Sequence, residues 1–161
     1  MRCYHLNNMY LSSIQQGIQS AHSQMELFVK YSEGSPEGLI LYDWARNHKT
    51  MIVLNGGFLS DMQDALEFLN SPENPYPVAE FYESQEAMGG MLTNIAIVLP
   101  EKIYKTAEFI RKKWIDGNLN TDPKLHITVA DEIEEILAGF GEFSTYELEL
   151  CAFMNQFRMA S

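Results

Sequence analysis

Residues 9–22, MYLSSIQQGIQSAH, decide how the rest of the chain is read, because a polar loop there runs into a helix that carries Gln19 and His22 three positions apart. Side chains at that spacing share a helix face. Ser13 is the expected N-cap, with Gln16 three residues on completing a capping-box pattern. Ile14, Ile18, Ala21, Met25 and Phe28 recur at the spacing of a core-facing stripe, which carries the helix to about Tyr31. A histidine in the first helix, just past a Ser-rich turn, falls at the strand-to-helix edge where α/β proteins gather ligand-binding groups.

Outward from this segment, strand and helix signals alternate. A short strand over Cys3–Leu6 comes before it, and Gly34-Ser35-Pro36 ends the helix and opens a second that reaches about Asn47. Lys49–Leu54, KTMIVL, is a compact apolar run with β-branched residues, closed at once by Asn55-Gly56-Gly57. Ser60 or Asp61 then caps a helix to Leu69 whose Met62, Ala65, Leu66 and Leu69 share a face. Pro72, Pro75 and Pro77 forbid a continuous helix, and Val78–Tyr82 reads as a short strand. After Gly89-Gly90, Thr93–Leu99 (TNIAIVL) is a second compact strand, followed by a Lys-bearing helix to about Trp114. A polar loop over 116–123 leads to an expected strand at Leu125–Ala130, a helix from Asp131 through Leu137 and a closing strand from Thr145 to about Phe153.

The length of 161 residues and 46% hydrophobic content fit one domain with a real core. Cys3 and Cys151 stand at opposite ends of the chain, which fits a reduced, cytoplasmic setting. The four histidines and two cysteines form no ligand pattern, so neither a metal nor a cofactor is expected. No run approaches the roughly 20 apolar residues of a membrane span. The net charge of −11 argues against broad, salt-driven binding to phosphate backbones. Lys102, Lys105, Arg111, Lys112 and Lys113 gather on one helix, either as a solvated mixed face or as a local anion-facing patch.

From about Met9 to Pro100 the chain resembles the type 2 peptidyl-tRNA hydrolases. Their first helix carries K-x-x-x-Q-x-x-H, and Gln15, Gln19 and His22 occupy those positions here, so the glutamine and histidine match and the lysine does not. Trp44 and KTMIVL match a tryptophan in the second helix and the strand after it. ESQEA (83–87), Gly90 and TNIAIVLP (93–100) stand for the family's D-A-G-R-T segment, its glycine and its Thr-led strand, which sets Glu83 in the aspartate's place. The segment's threonine falls on Ala87, leaving Thr93 as a nearby substitute. The resemblance implies a mixed β-sheet with helices on both faces. His22, Glu83 and Thr93 would act as catalytic residues at one edge, with Gln15, Gln19 and Gly90 binding substrate. It also implies a family-like core over about 1–115 and a strand-helix-strand extension over about 116–161. In the family, the lysine, aspartate and threonine serve to cleave the ester between a peptide and tRNA. The implied substrate is therefore tRNA-linked, or a smaller ester.

Other readings stay open. The pair His48-Lys49-Thr50 and His126-Ile127-Thr128 looks like the paired motifs of the two-histidine phosphoesterases, in which two histidines serve as acid and base across a phosphodiester. Asn55-Gly56-Gly57 is either an anion-facing loop or a simple tight turn. Nine methionines, eight tyrosines and an acidic balance also suit a non-catalytic binding or inhibitory protein that takes a basic partner or presents an adaptable apolar face.

Overall fold

The computed structural model describes residues 1–115, 139 and 141–160. Strand β1 (Arg2–Asn8) leads to helix α1 (Ser13–Lys30), helix α2 (Pro36–Asp43) with a π-helical turn at Trp44–His48, and strand β2 (Met51–Gly57). Helix α3 (Leu59–Leu69), strand β3 (Val78–Tyr82), the short helix α4 (Gln85–Met88) and strand β4 (Leu92–Leu99) follow. Helices α5 (Glu101–Ile115) and α6 (Thr145–Met154) and strand β5 (Arg158–Met159) complete the described chain. The architecture is α/β, with a five-stranded mixed sheet in the order β3-β4-β1-β2-β5. Among the described strands, the neighbours β1 and β2 pair parallel and the other three neighbouring pairs are antiparallel. Contacts group the chain into two compact units, 1–99 with 158–161, and 100–157.

In the first unit, strand pleating sorts the core into two layers. Cys3, His5 and Asn7 of β1 pair with Val98, Ala96 and Asn94 of β4 and face α1, where Ser20, Ser23 and Leu27 meet them. Trp44, Leu41 and Ala79 close this layer, and the Trp44 indole N–H donates to the Thr50 carbonyl at 2.9 Å. Leu6 lies on the opposite face of β1, beside Gly56, where a Cβ would run into the Met62 sulfur of α3. The alternate residues of β4, Ile95 and Ile97, pair with Leu6 and Tyr4 on that same face. Helices therefore cover both faces.

Helix α1 departs from its expected orientation. Ile14, Ile18, Met25 and Val29 are 77%, 50%, 67% and 80% exposed, while Gln19, Ser20, Ser23 and Leu27 are buried. The helix is turned by about half a revolution from the phase its apolar spacing predicts. The polar residues of the inward faces of β1 and β4 explain this, because buried polar groups are stable only when they find hydrogen-bond partners, and the serines and glutamine of α1 supply them.

The start of α1 is also one residue off. Ser12, not Ser13, is the N-cap: its backbone N–H donates to Gln15 Oε1 at 2.9 Å and its hydroxyl accepts from the Gln15 N–H at 3.4 Å. Gln16 instead donates to the Leu11 carbonyl at 3.1 Å. Ser12→Ala is expected to destabilise the protein by about 1 kcal/mol, and Ser13→Ala by much less, as read from urea midpoints.

In the second unit, Thr145–Met154 is helical where a closing strand was expected. The segment alternates apolar and polar residues, but Ser144 and Glu147 form a capping box, each side chain accepting the other's backbone N–H at 3.1 Å, and this fixes a helix start. Lys102 of α5 bonds the Glu147 carboxylate at 2.9 Å, and the Cys151 thiol reaches the Ile103 carbonyl at 3.6 Å. The strand expected at 125–130 and the helix expected at 131–137 lie outside the described residues.

Candidate functional site

The carboxyl ends of β1 and β2 mark the edge at which open α/β sheets place their ligands. Thr93 sits at this edge in β4, at a β-bulge: Phe81 pairs with Asn94 and Tyr82 with Leu92, so Thr93 is the extra residue. A bulge re-aims side chains, and here Thr93 and Asn94, consecutive in sequence, both reach α1.

Glu83 continues the edge beyond β3, its backbone N–H donating to the Met91 carbonyl at 3.0 Å. One carboxylate oxygen accepts the Ser84 N–H at 2.9 Å and the other accepts the Gln19 amide at 2.8 Å. Gln19 is buried, and its Oε1 accepts the Thr93 hydroxyl at 2.7 Å. Thr93 Oγ1 also lies 3.2 Å from the Phe81 carbonyl, so its one proton has two competing acceptors. The exposed His22 ring stacks on Phe81, with centroids 4.4 Å apart and planes 8° from parallel. The Ser84 N–H, then the Gln19 amide, and finally the positive potential of His22 hold the Glu83 carboxyl below the usual carboxylate range. At neutral pH it is therefore ionised.

Of the residues singled out from sequence, the structure brings Gln19, His22, Glu83 and Thr93 together. Gln15 and Gly90 do structural work instead. Gln15 is exposed and caps α1. Gly90 adopts φ +70° and donates to the Ser84 carbonyl at 3.2 Å, closing the turn after α4. A side chain there would meet both the left-handed backbone and the Gln85 amide, so Gly90→Ala is expected to cost about 1 kcal/mol and displace the Glu83 segment. Thermal unfolding of this variant beside Gly34→Ala, which has open space and no such backbone, measures the difference.

Asn55-Gly56-Gly57 is neither an open anion-facing loop nor a tight turn: it is the end of β2, with Asn55 and Gly57 paired to Asn7 and Asn8 of β1 and Gly56 the extra residue at a register shift. Its Gly57 N–H is taken by Asn55 Oδ1 at 2.9 Å and the next N–H, of Phe58, by the Asp61 carboxylate at 2.8 Å. His48 lies 3.1 Å from the terminal amine of Met1 and 3.6 Å from Asp43, at the opposite end of β2 from Gly57, and His126 lies outside the described residues. Among the described residues, no group of His, Cys, Asp or Glu is arranged to hold a metal ion, and no helix is long and apolar enough to cross a membrane.

A buried polar network behind Thr93 was not foreseen. Asn94 Oδ1 accepts from both His5 Nδ1, at 3.2 Å, and the Ser23 hydroxyl, while its amide donates to Asn7 at 2.9 Å and to Ser20 at 3.2 Å. An amide oxygen only accepts, so His5 carries its proton on Nδ1, and Nε2 takes the Cys3 thiol at 3.4 Å. Burial pushes the His5 imidazole down to about 4 and the Cys3 thiol far up, so both are neutral and the thiol is inert. Alternating polar residues in β1 and a lone asparagine in an apolar strand were the available sequence signals.

This network sets the acid sensitivity of the fold. The folded-state value of His5 lies below its unfolded one, so its contribution is fully present above about 6.5 and is lost as pH falls toward about 4. The full loss is about 3 kcal/mol. Urea midpoints measured from pH 7 to pH 4 are expected to fall, and His5→Gln is expected to flatten that slope.

The chain matches no family model and no curated protein.

Proposed function

We propose that the protein is a hydrolase of the type 2 peptidyl-tRNA hydrolase kind, cleaving an ester on a tRNA-linked or smaller substrate at the edge formed by Gln19, His22, Glu83 and Thr93. The observation that carries this reading is the hydrogen-bonded chain from Thr93 through Gln19 to the ionised Glu83. Glu83 takes a proton from water as the water oxygen attacks the ester carbonyl, and the proton passes to the departing alkoxide as the carbon–oxygen bond breaks. Thr93 and Gln19, both buried, act through the hydrogen-bonded chain by holding the Glu83 carboxylate in place.

Gln15 stands where a lysine would supply positive charge, and its side chain is committed to the cap. Loss of one oxyanion-stabilising group typically costs about 10²–10³ in rate, so turnover is slow. Gln15 lies one helical turn before Gln19, and Gln15→Lys is expected to raise cleavage of an N-blocked aminoacyl-tRNA by at least about tenfold, a part of that deficit. An unchanged rate in a folded Gln15→Lys protein removes this position from the chemistry.

A second reading, a binding protein that takes a basic partner, draws on the exposed Tyr10–Phe58 ring pair, with centroids 5.5 Å apart, in the two loops that leave the same edge. Aromatic anchors on the same sheet edge as an ionised carboxylate suit a cationic, partly apolar ligand. Binding of basic peptides that Glu83→Gln weakens, without any ester cleavage by the parent protein, would favour it.

A further inference from the structure

Among the described residues, the outward face of α1 is an exposed apolar stripe that nothing covers. Ile14, Ile18, Ala21, Met25 and Val29 fall within roughly 80° of arc at 3.6 residues per turn, opposite the buried face. Exposed apolar stripes of this kind mark association surfaces.

We propose that this stripe pairs with its copy in a second molecule, as an antiparallel α1–α1 contact about a two-fold axis near Ala21. The first support is the symmetry of the pattern. Ile14 and Val29, and likewise Ile18 and Met25, lie at equal steps on either side of the Ala21–His22 peptide bond. A two-fold contact sets each residue against its mate in the other copy, so Ile14 meets Val29 and Ile18 meets Met25. The small Ala21 lies at the crossing, with Gly17 one turn before it, where helices must approach closely.

The second support is charge. The chain carries 22 carboxylates and a net −11, so most faces of two copies repel each other. The fully exposed positions of α1 carry no carboxylate at all; its one acidic residue, Glu26, is half-buried. The stripe is thus the neutral window through which like-charged copies can meet, and interface centres are depleted of charge in the same way. A basic partner would gain nothing from this face.

The size of the contact fixes its strength. An 18-residue helix is about 27 Å long and 10–12 Å across, a footprint of about 300 Å². Stable interfaces bury about 800 Å² on each partner. The dimer is therefore weak and concentration-dependent. Its axis passes beside His22, which brings the two candidate sites to a shared rim, but the pairing does not depend on their chemistry.

Sedimentation velocity of the full chain from micromolar to millimolar concentration is expected to show a reversible monomer–dimer equilibrium. Added salt should strengthen it by screening the repulsion. Ile18→Glu and Met25→Glu, both at exposed positions, should leave circular dichroism unchanged and abolish the dimer. For the geometry, Ala21→Cys is expected to cross-link to its own copy under oxidation. Ile14→Cys, about 22 Å from its copy in the antiparallel arrangement, should not. The native thiols are both buried and do not compete. A monomer at every concentration, a dimer that survives both glutamates, or self-cross-linking of Ile14→Cys would each overturn the proposal.

Discussion

Glu83→Gln is expected to lower ester cleavage by about 10²–10⁴-fold, the usual contribution of a positioned general base, while the fold is unchanged. The replacement amide keeps an oxygen that can accept the Ser84 N–H, so the segment stays in place, but it can no longer take a proton. The pH profile adds a second signature. Because the Ser84 N–H, Gln19 and His22 hold the Glu83 carboxyl low, the base stays ionised well into acid, and activity falls only as pH drops through that depressed value. A profile that breaks near 6 to 7 would assign the base to another group. Equal rates for the parent and a folded Glu83→Gln protein would remove Glu83 from the reaction.

Asn94→Leu is expected to destabilise the fold by about 3 kcal/mol or more. Its side chain satisfies His5, Ser23, Asn7 and Ser20 at once, and each buried polar group left without a partner costs about 1–3 kcal/mol. Leucine is of similar size, so the loss reports hydrogen bonding more than volume. Urea unfolding with an unchanged slope and a lowered midpoint is the measurement. A loss under about 1 kcal/mol would mean that α1 is held by Leu27 and its apolar neighbours, with the network adding little.

The contrast between these two residues shows what was legible in the sequence. Glu83 stands at the end of a strand flagged by VAEFY, and the strand at Val78–Tyr82 is found where its β-branched and aromatic residues place it. Long runs such as KTMIVL and TNIAIVL gave the sheet its central strands in the same way. Asn94 lay hidden inside one of those runs, because a single polar residue in an apolar strand reveals its purpose only when the partner elements are known.

Helix α1 taught the opposite lesson. Its apolar period was real, but the polar linings of β1 and β4 turned it outward, and the apolar stripe became surface. The error at Thr145–Met154 has a local cause: an alternating pattern competed with a capping box at Ser144 and Glu147, and the cap won. Thr93 reaches Gln19 only because a bulge adds one residue to β4, and register of that kind is set by pairing between distant strands.

The central claim is that this edge breaks an ester bond. Purified protein in excess over an N-blocked aminoacyl-tRNA, followed through a single turnover by the release of deacylated tRNA, tests it most directly. First-order cleavage above the uncatalysed rate, absent in Glu83→Gln, is the predicted result. A parent protein that leaves the ester intact, even at the highest concentration reached, would contradict it.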